Sequence, residues 1–280
     1  MTMTQVQPAA IATPRSKGRL QRITPETWVS IGIFVVFVGG WEAIVRILQV
    51  SPLVIPAPSA IAGALIDSLS TPSFYWHAGV TLWEILAGFF IGAGLGLVLG
   101  VLIGQWRLLE KTVYPYVVAF QTVPKVAVAP LIVIWFGYGI TSKIVITAMI
   151  AFFPVVVNCI AGMGAASQQQ IDMLRSFTAT RWQIFRMIKL QSALPYIFAG
   201  LDVAIILAVI GAIVGEFIGA QAGLGYLLLQ RNFSMDTAGT FAILIVLSLI
   251  GMVLHQVMKF CRRKIVFWVN DDQRLATDQA

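Results

Sequence analysis

Six apolar runs, each about as long as a helix must be to cross a bilayer, leave this chain few folds to choose from. A hydrocarbon core about 30 Å thick needs roughly 20 residues of helix. Runs of that order occupy residues 28–48, 81–104, 115–136, 144–163, 194–217 and 241–260. Backbone polar groups in lipid must be satisfied within the segment, and a helix does this alone. The pattern predicts an all-α polytopic membrane protein with six transmembrane helices. Only 11% of the 280 residues are charged, less than half the roughly one quarter of a soluble domain.

The charges are grouped between the runs. Fifteen of the 19 lysines and arginines fall on one side: the first tail, the loop with Arg107 and Lys111, the loop from Arg175 to Lys189, and the last tail. Three (Arg46, Lys143 and Arg231) fall on the other side, and Lys125 lies within the third run. Lysine and arginine accumulate in cytoplasmic loops, so both termini and the long loop are expected in the cytoplasm of a bacterial inner-membrane protein. The same rule accounts for the net charge of +7 without nucleic acid. Residues 1–27 and 269–280 read as cytoplasmic tails, the first of them disordered, around a transmembrane domain at 28–268. Cys159 and Cys261 have no metal-ligand spacing and read as packing residues, so no metal is expected.

Several span residues stand out. Gly88, Gly92, Gly96, Gly100 and Gly104 line one helical face, which lets a second helix approach closely. That approach fits packing within the bundle, or a seam between two copies. Pro124 and Pro130 interrupt the third run, and a proline removes a helix hydrogen bond. The stretch 121–130 is therefore the first candidate for lining a pathway. Intramembrane charges usually face the interior. Lys125 and Glu216 are the pathway candidates, and an ion pair between them is an equal reading. Glu84 is expected to be solvated near the outer boundary, Glu42 to pair with Arg46, and Asp202 to cap or pair. His255 reads as a packed residue. Between Pro52 and Pro72, residues 59–70 read as a short amphipathic helix capped by Ser59.

The loop at 167–195 reads SQQQIDMLRSFTATRWQIFRMIKLQSALP. Ser167 with Gln170, and Thr180 with Gln183, have the spacing of capping boxes, which predicts two short helices. The first is expected to expose Met173, Leu174 and Phe177. The second carries Trp182, Phe185 and Ile188 beside Arg181, Arg186 and Lys189. Pro195 is expected to open the fifth span, where its missing N–H costs nothing. Physics leaves two roles open: a basic helix lying on the bilayer, or a helix in a groove of a soluble partner.

The pattern of Asp172 followed by Leu194–Pro195 resembles the EAA loop of binding-protein-dependent ABC importer permeases. The stretches PKVAVAPLIVIWFGYG, FFPVVVN and GEFIGAQAGLGYLL also look like that family, and the likeness runs over about 54–268. It is nearest the branch with nitrate, taurine, alkanesulfonate and bicarbonate permeases. It implies the type I (MetI-like) permease fold, alternating access, and coupling through 167–193. It also implies a separate ATPase subunit that binds ATP and magnesium, a periplasmic substrate-binding protein and a second permease copy, all in membrane lipid. Asp172, Arg175, Phe177, Thr178, Arg181 and Trp182, with Leu194 and Pro195, are the implied coupling residues. Met173 and Leu174 stand where that family has small residues, and Thr178 where it has glycine, leaving either an ordinary turn or local strain. The chain has no G-x-x-x-x-G-K-[ST] loop and no catalytic constellation, so it is expected to be a transport subunit and not an enzyme. An ion-coupled secondary transporter is the rival class. The implied solute is a small anion, with a pyrimidine vitamin precursor, riboflavin or an aromatic carboxylate as alternatives.

Overall fold

A computed structural model describes residues 25–268. The tails expected at 1–24 and 269–280 lie outside the described residues, and residues 25–27, read as tail, are already helical. Helix α1, Pro25–Ile47, is a unit by itself. Its Arg46 donates to Glu42 at 2.6 Å, as the four-residue spacing predicts.

The second unit holds the other helices. These are α2 (Pro58–Ser70), α3 (Pro72–Gln105), α4 (Arg107–Thr122), α5 (Lys125–Phe136), α6 (Ile140–Gly164) and α7 (Gln168–Ser176). Then come α8 (Arg181–Phe217), α9 (Leu224–Phe233) and α10 (Thr237–Ile265). Helix α2 starts with Pro58 in its first turn after Ala57. Ser59 is therefore inside the helix and is not its cap, because proline already supplies the first helical φ.

Helices α3, α6 and α8 form the core, with Ile85, Phe89, Ala151, Val155, Ala204 and Ala208 buried together. The glycine stripe makes this possible. A Cβ at Gly96 would stand 2.9 Å from the Phe152 carbonyl oxygen, and one at Gly100 2.6 Å from the Cys159 Cβ. A Cβ at Gly104 would stand 2.7 Å from the Met163 Cβ, and at Gly88 and Gly92 it would overlap Thr147 and Ala148. The stripe is occupied by α6 of the same chain, which is the packing reading. Cys159 is buried there as a free thiol, and Cys261 is free as well.

The third run differs from expectation. It is two helices, α4 and α5, meeting at 88° across Val123 and Pro124. Pro124 precedes α5, and the residue before it is pushed to extended backbone; Val123 has φ −60° and ψ 129°. Pro130 lies inside α5 and does not end it. With 12 residues, α5 rises about 18 Å, less than the hydrocarbon core. Among the described residues, five helices are long and apolar enough to cross a membrane, and the bent pair makes a sixth when taken as one span.

Candidate functional site

The loop folds as predicted at its second start and differently at its first. Thr180 accepts from the Gln183 backbone at 3.3 Å while Gln183 accepts from the Thr180 backbone at 2.7 Å, a complete capping box. Ser167 holds the cap position of α7 but makes no side-chain cap bond. Instead Gln168 turns to Asp172 at 3.0 Å. The Asp172 carboxylate also accepts from Arg175 at 3.2 Å.

Between the helices, the Ala179 amide donates to the Leu174 carbonyl at 3.0 Å and the Thr178 amide to the Arg175 carbonyl at 2.9 Å. This is a Schellman closure, which normally carries glycine at the left-handed position. Thr178 sits there with φ +59°, so the turn is the strained one of the two readings. Left-handed backbone costs an L-residue about 1–2 kcal/mol, more awkwardly for a β-branched one. Thr178→Gly should relieve most of this. Hydrogen exchange at the 178 and 179 amides is expected to slow about fivefold, equivalent to about 1 kcal/mol; faster exchange would show that the threonine favours the turn.

A small core holds the two helices together. Ile171, Ile184 and Ile188 are buried, with Leu174 and Ala179 packed on them. Leu174, read as exposed, turns inward, and so does Ile188. Phe177 and Trp182 remain 73% and 66% exposed, with Met173 also on the surface. Trp182 is braced by the Phe185 ring at 5.4 Å. Arg175 and Arg181 are exposed near the same end.

Pro195 does not open the fifth span. Helix α8 starts at Arg181 and runs to Phe217, carrying one π-helical turn over Phe185–Lys189. Leu194 and Pro195 are half-buried inside it, away from the tip. Lys189 Nζ donates to the Gln105 carbonyl at the end of α3, at 3.3 Å. The loop is therefore an extension of the bundle.

The membrane charges sort differently from their sequence reading. Glu216 and Lys125 do not meet. Glu216 is 1% exposed and accepts from Thr81 Oγ1 at 2.6 Å, the Gly225 amide and the Tyr226 amide at 3.1 Å. Thr81 Oγ1 in turn accepts from the Leu224 amide at 2.7 Å. His77 Nδ1 accepts from the Gly223 amide at 3.0 Å. The first amides of α9 have no intrahelical partner, and a carboxylate is favoured at that end. Glu216 is thus the cap that fastens α9 to α3 and α8. Glu84, expected to be solvated, is 2% exposed and lies against Glu216.

Lys143, assigned to an outer loop by the charge count, is 1% exposed. Its ammonium donates to the carbonyls of Tyr138, Gly139 at 3.0 Å and Gly219 at 3.2 Å. The one signal for it in the sequence was the apolar run that begins directly after it at Ile144.

Lys125 stands at the 88° bend. Its Nζ donates to the Gln121 carbonyl at 2.7 Å and lies 4.6 Å from the centre of the Phe153 ring. It is the one cation in the broken helix pair beyond Lys111. Asp202 pairs with Arg262 at 3.9 Å, and His255 Nδ1 lies 3.6 Å from it. Among the described residues no group of three or more His, Cys, Asp or Glu could hold a metal.

Residues 92–266 match the family described as binding-protein-dependent transport system inner membrane component. The chain is 36% identical to the formylaminopyrimidine transport permease protein ThiX of Halalkalibacterium halodurans, over 81% of this chain and 90% of that protein. It is 33% identical to the riboflavin transport system permease protein RibX of Chloroflexus aurantiacus, over 95% and 99%. It is 26% identical to the taurine transport system permease protein TauC of Escherichia coli, over 90% and 93%. Its fold is similar to a chain of the MetNI methionine ABC transporter, with a TM-score of 0.58 and 23% identity over 71% of this chain and 99% of that one. The chain belongs to the inner-membrane permease family of binding-protein-dependent ABC transport systems.

Proposed function

We propose that this permease subunit works as a pair of copies, moves a small solute into the cytoplasm, and is driven by a separate ATPase subunit docked on the 167–193 loop. A periplasmic binding protein delivers the solute, and both termini face the cytoplasm. The observation that carries this reading is the build of the loop. Its exposed aromatic tip, Phe177 and Trp182, stands on its own small core and continues without a break into a span. Docking force on such a tip reaches the bundle as rigid-body motion between two packings.

The solute reading rests on Lys125. An ammonium at a proline-made bend, half-buried and set beside the Phe153 ring, suits a small solute with an anionic group such as a sulfonate, taurine, nitrate or bicarbonate. A second reading, a pyrimidine vitamin precursor or riboflavin, is favoured by the order of likeness. The relatives named for those solutes are 36% and 33% identical, against 29% and 26% for those named for aliphatic sulfonates and taurine.

One experiment tests both. In proteoliposomes with the ATPase subunit and the binding protein, uptake should require ATP; uptake driven by an ion gradient without ATP would overturn the reading. Lys125→Met should lower uptake of an anionic solute about tenfold, the loss of one charged hydrogen bond. An uncharged heterocycle should be carried within about twofold of the unsubstituted protein, since it makes no such bond.

A further inference from the structure

A cavity of about 550 Å³ opens between the loop and the start of α4. Arg107, Arg175, Arg181 and Lys189 all line it, brought together from helices α4, α7 and α8. None of its lining residues is acidic. Two carboxylates act on the cluster from nearby: Asp172, bonded to Arg175, and Glu110, within electrostatic reach of Lys189. The four cations keep an excess over these two. Arg107, Arg175 and Arg181 are exposed residues, so the cluster is open to a ligand.

The rest of the lining is two glutamines, Gln105 and Gln168, and an apolar side. Ile171, Ile184 and Phe185 form part of the wall. Trp106, also in the wall, terminates the 34-residue apolar helix α3 and is 53% exposed. A tryptophan at the end of a span marks the membrane–water boundary. Next to it, Leu108 is 74% exposed, as a residue facing acyl chains would be. The cavity therefore joins a cationic mouth to an apolar wall at headgroup depth. The aromatic tip, Phe177 and Trp182, does not line it, although Arg175 and Arg181 of the loop proposed for the ATPase do.

We propose that this cavity binds the phosphate of an anionic phospholipid from the cytoplasmic leaflet. The phosphodiester oxygens accept from the arginines, which fit phosphate with paired N–H groups, and the glycerol end lies on the apolar wall. The leaflet supplies such lipids next to the site, and its negative surface favours basic segments. Bound there, the lipid bridges α4, α7 and α8 and braces the loop against the end of α3. The inference rests on the cytoplasmic placement of the loop proposed above. Lipid retention is read without ATP, ATPase or solute, so the two stand or fall separately.

The test uses the full chain in neutral detergent, titrated with phosphatidylglycerol or phosphatidylcholine and followed by native mass spectrometry. Phosphatidylglycerol should be retained in preference. Arg107→Gln with Arg181→Gln should weaken its binding about thirtyfold, at roughly a factor of five for each basic residue. Lys111→Gln, which lies outside the cavity, should change it less than twofold, and Arg107→Lys with Arg181→Lys should keep the preference for phosphatidylglycerol. Equal retention of the two lipids would overturn the proposal. So would full competition by millimolar inorganic phosphate, which would make the site one for a small anion. Loss of ATPase binding in the Gln pair with lipid retention unchanged would make the cavity part of the protein interface, and would overturn it too.

Discussion

Replacing Asp172, Phe177 and Trp182 together by alanine is expected to abolish solute uptake while the permease still inserts and folds. All three side chains are on the surface of the loop, and the core of Ile171, Ile184 and Ile188 is untouched. The fold should lose little, because surface substitutions usually cost within about 0.5 kcal/mol. Docking should lose much more. Aromatic anchors that fill a partner's pocket carry about 2 kcal/mol or more each, so affinity for the ATPase should fall at least several hundredfold for the pair. Asp172→Ala adds a second effect by releasing Arg175 and Gln168. The measurements are ATPase co-purification and ATP-driven uptake. Unchanged uptake would remove the loop from the coupling path.

The second large effect is at Glu216. Its carboxyl accepts from Thr81 and from two amides of α9, with Lys143 and Glu84 nearby. Glu216→Ala would leave those donors in a dry pocket and Lys143 with one fewer carboxylate near it. Breaking a buried charge arrangement from one side costs about 3–5 kcal/mol. The expected result is a lower thermal midpoint, with protease cutting first at 218–223, the stretch that joins α8 to α9. Glu216→Gln should fall between the two proteins, because its amide oxygen can still accept one of the three bonds. A Glu216→Ala protein with unchanged stability but changed solute selectivity would instead restore Glu216 to the pathway.

Those two sites differ in how far the sequence disclosed them. The spans were legible because bilayer thickness dictates their length, and the Thr180–Gln183 box because its bonds are local. The glycine stripe was legible as a close approach, although its partner α6 could not be named from the stripe. Local rules failed where distant residues decide. Ser167 has a cap's spacing, yet Gln168 and Asp172 bond to one another instead. Pro195 has a helix-starting position, yet α8 is already under way, because packing of its earlier turns against α7 and α3 sustains it. Lys143 looked like a loop charge because a charge count assigns sides by position along the chain. Its burial depends on carbonyls at Gly139 and Gly219, the second 76 residues away. Thr178 was open between relaxed and strained, and only the backbone angle decides it.

Helix α8 has a further consequence. Trp182 is in its first turn and Glu216 in its last, about 50 Å apart at 1.5 Å per residue. The element proposed to meet the ATPase and the carboxylate that fastens α9 lie at two ends of one rod. A rod gripped near its middle by α3 and α6 is a see-saw. A tilt of about 10° about that grip would carry each end roughly 4–5 Å, in opposite directions. Opening at one face of the membrane and closing at the other then need no relay of side chains between them, only a fulcrum, and the glycine-lined contact of α3 with α6 is placed to be part of one.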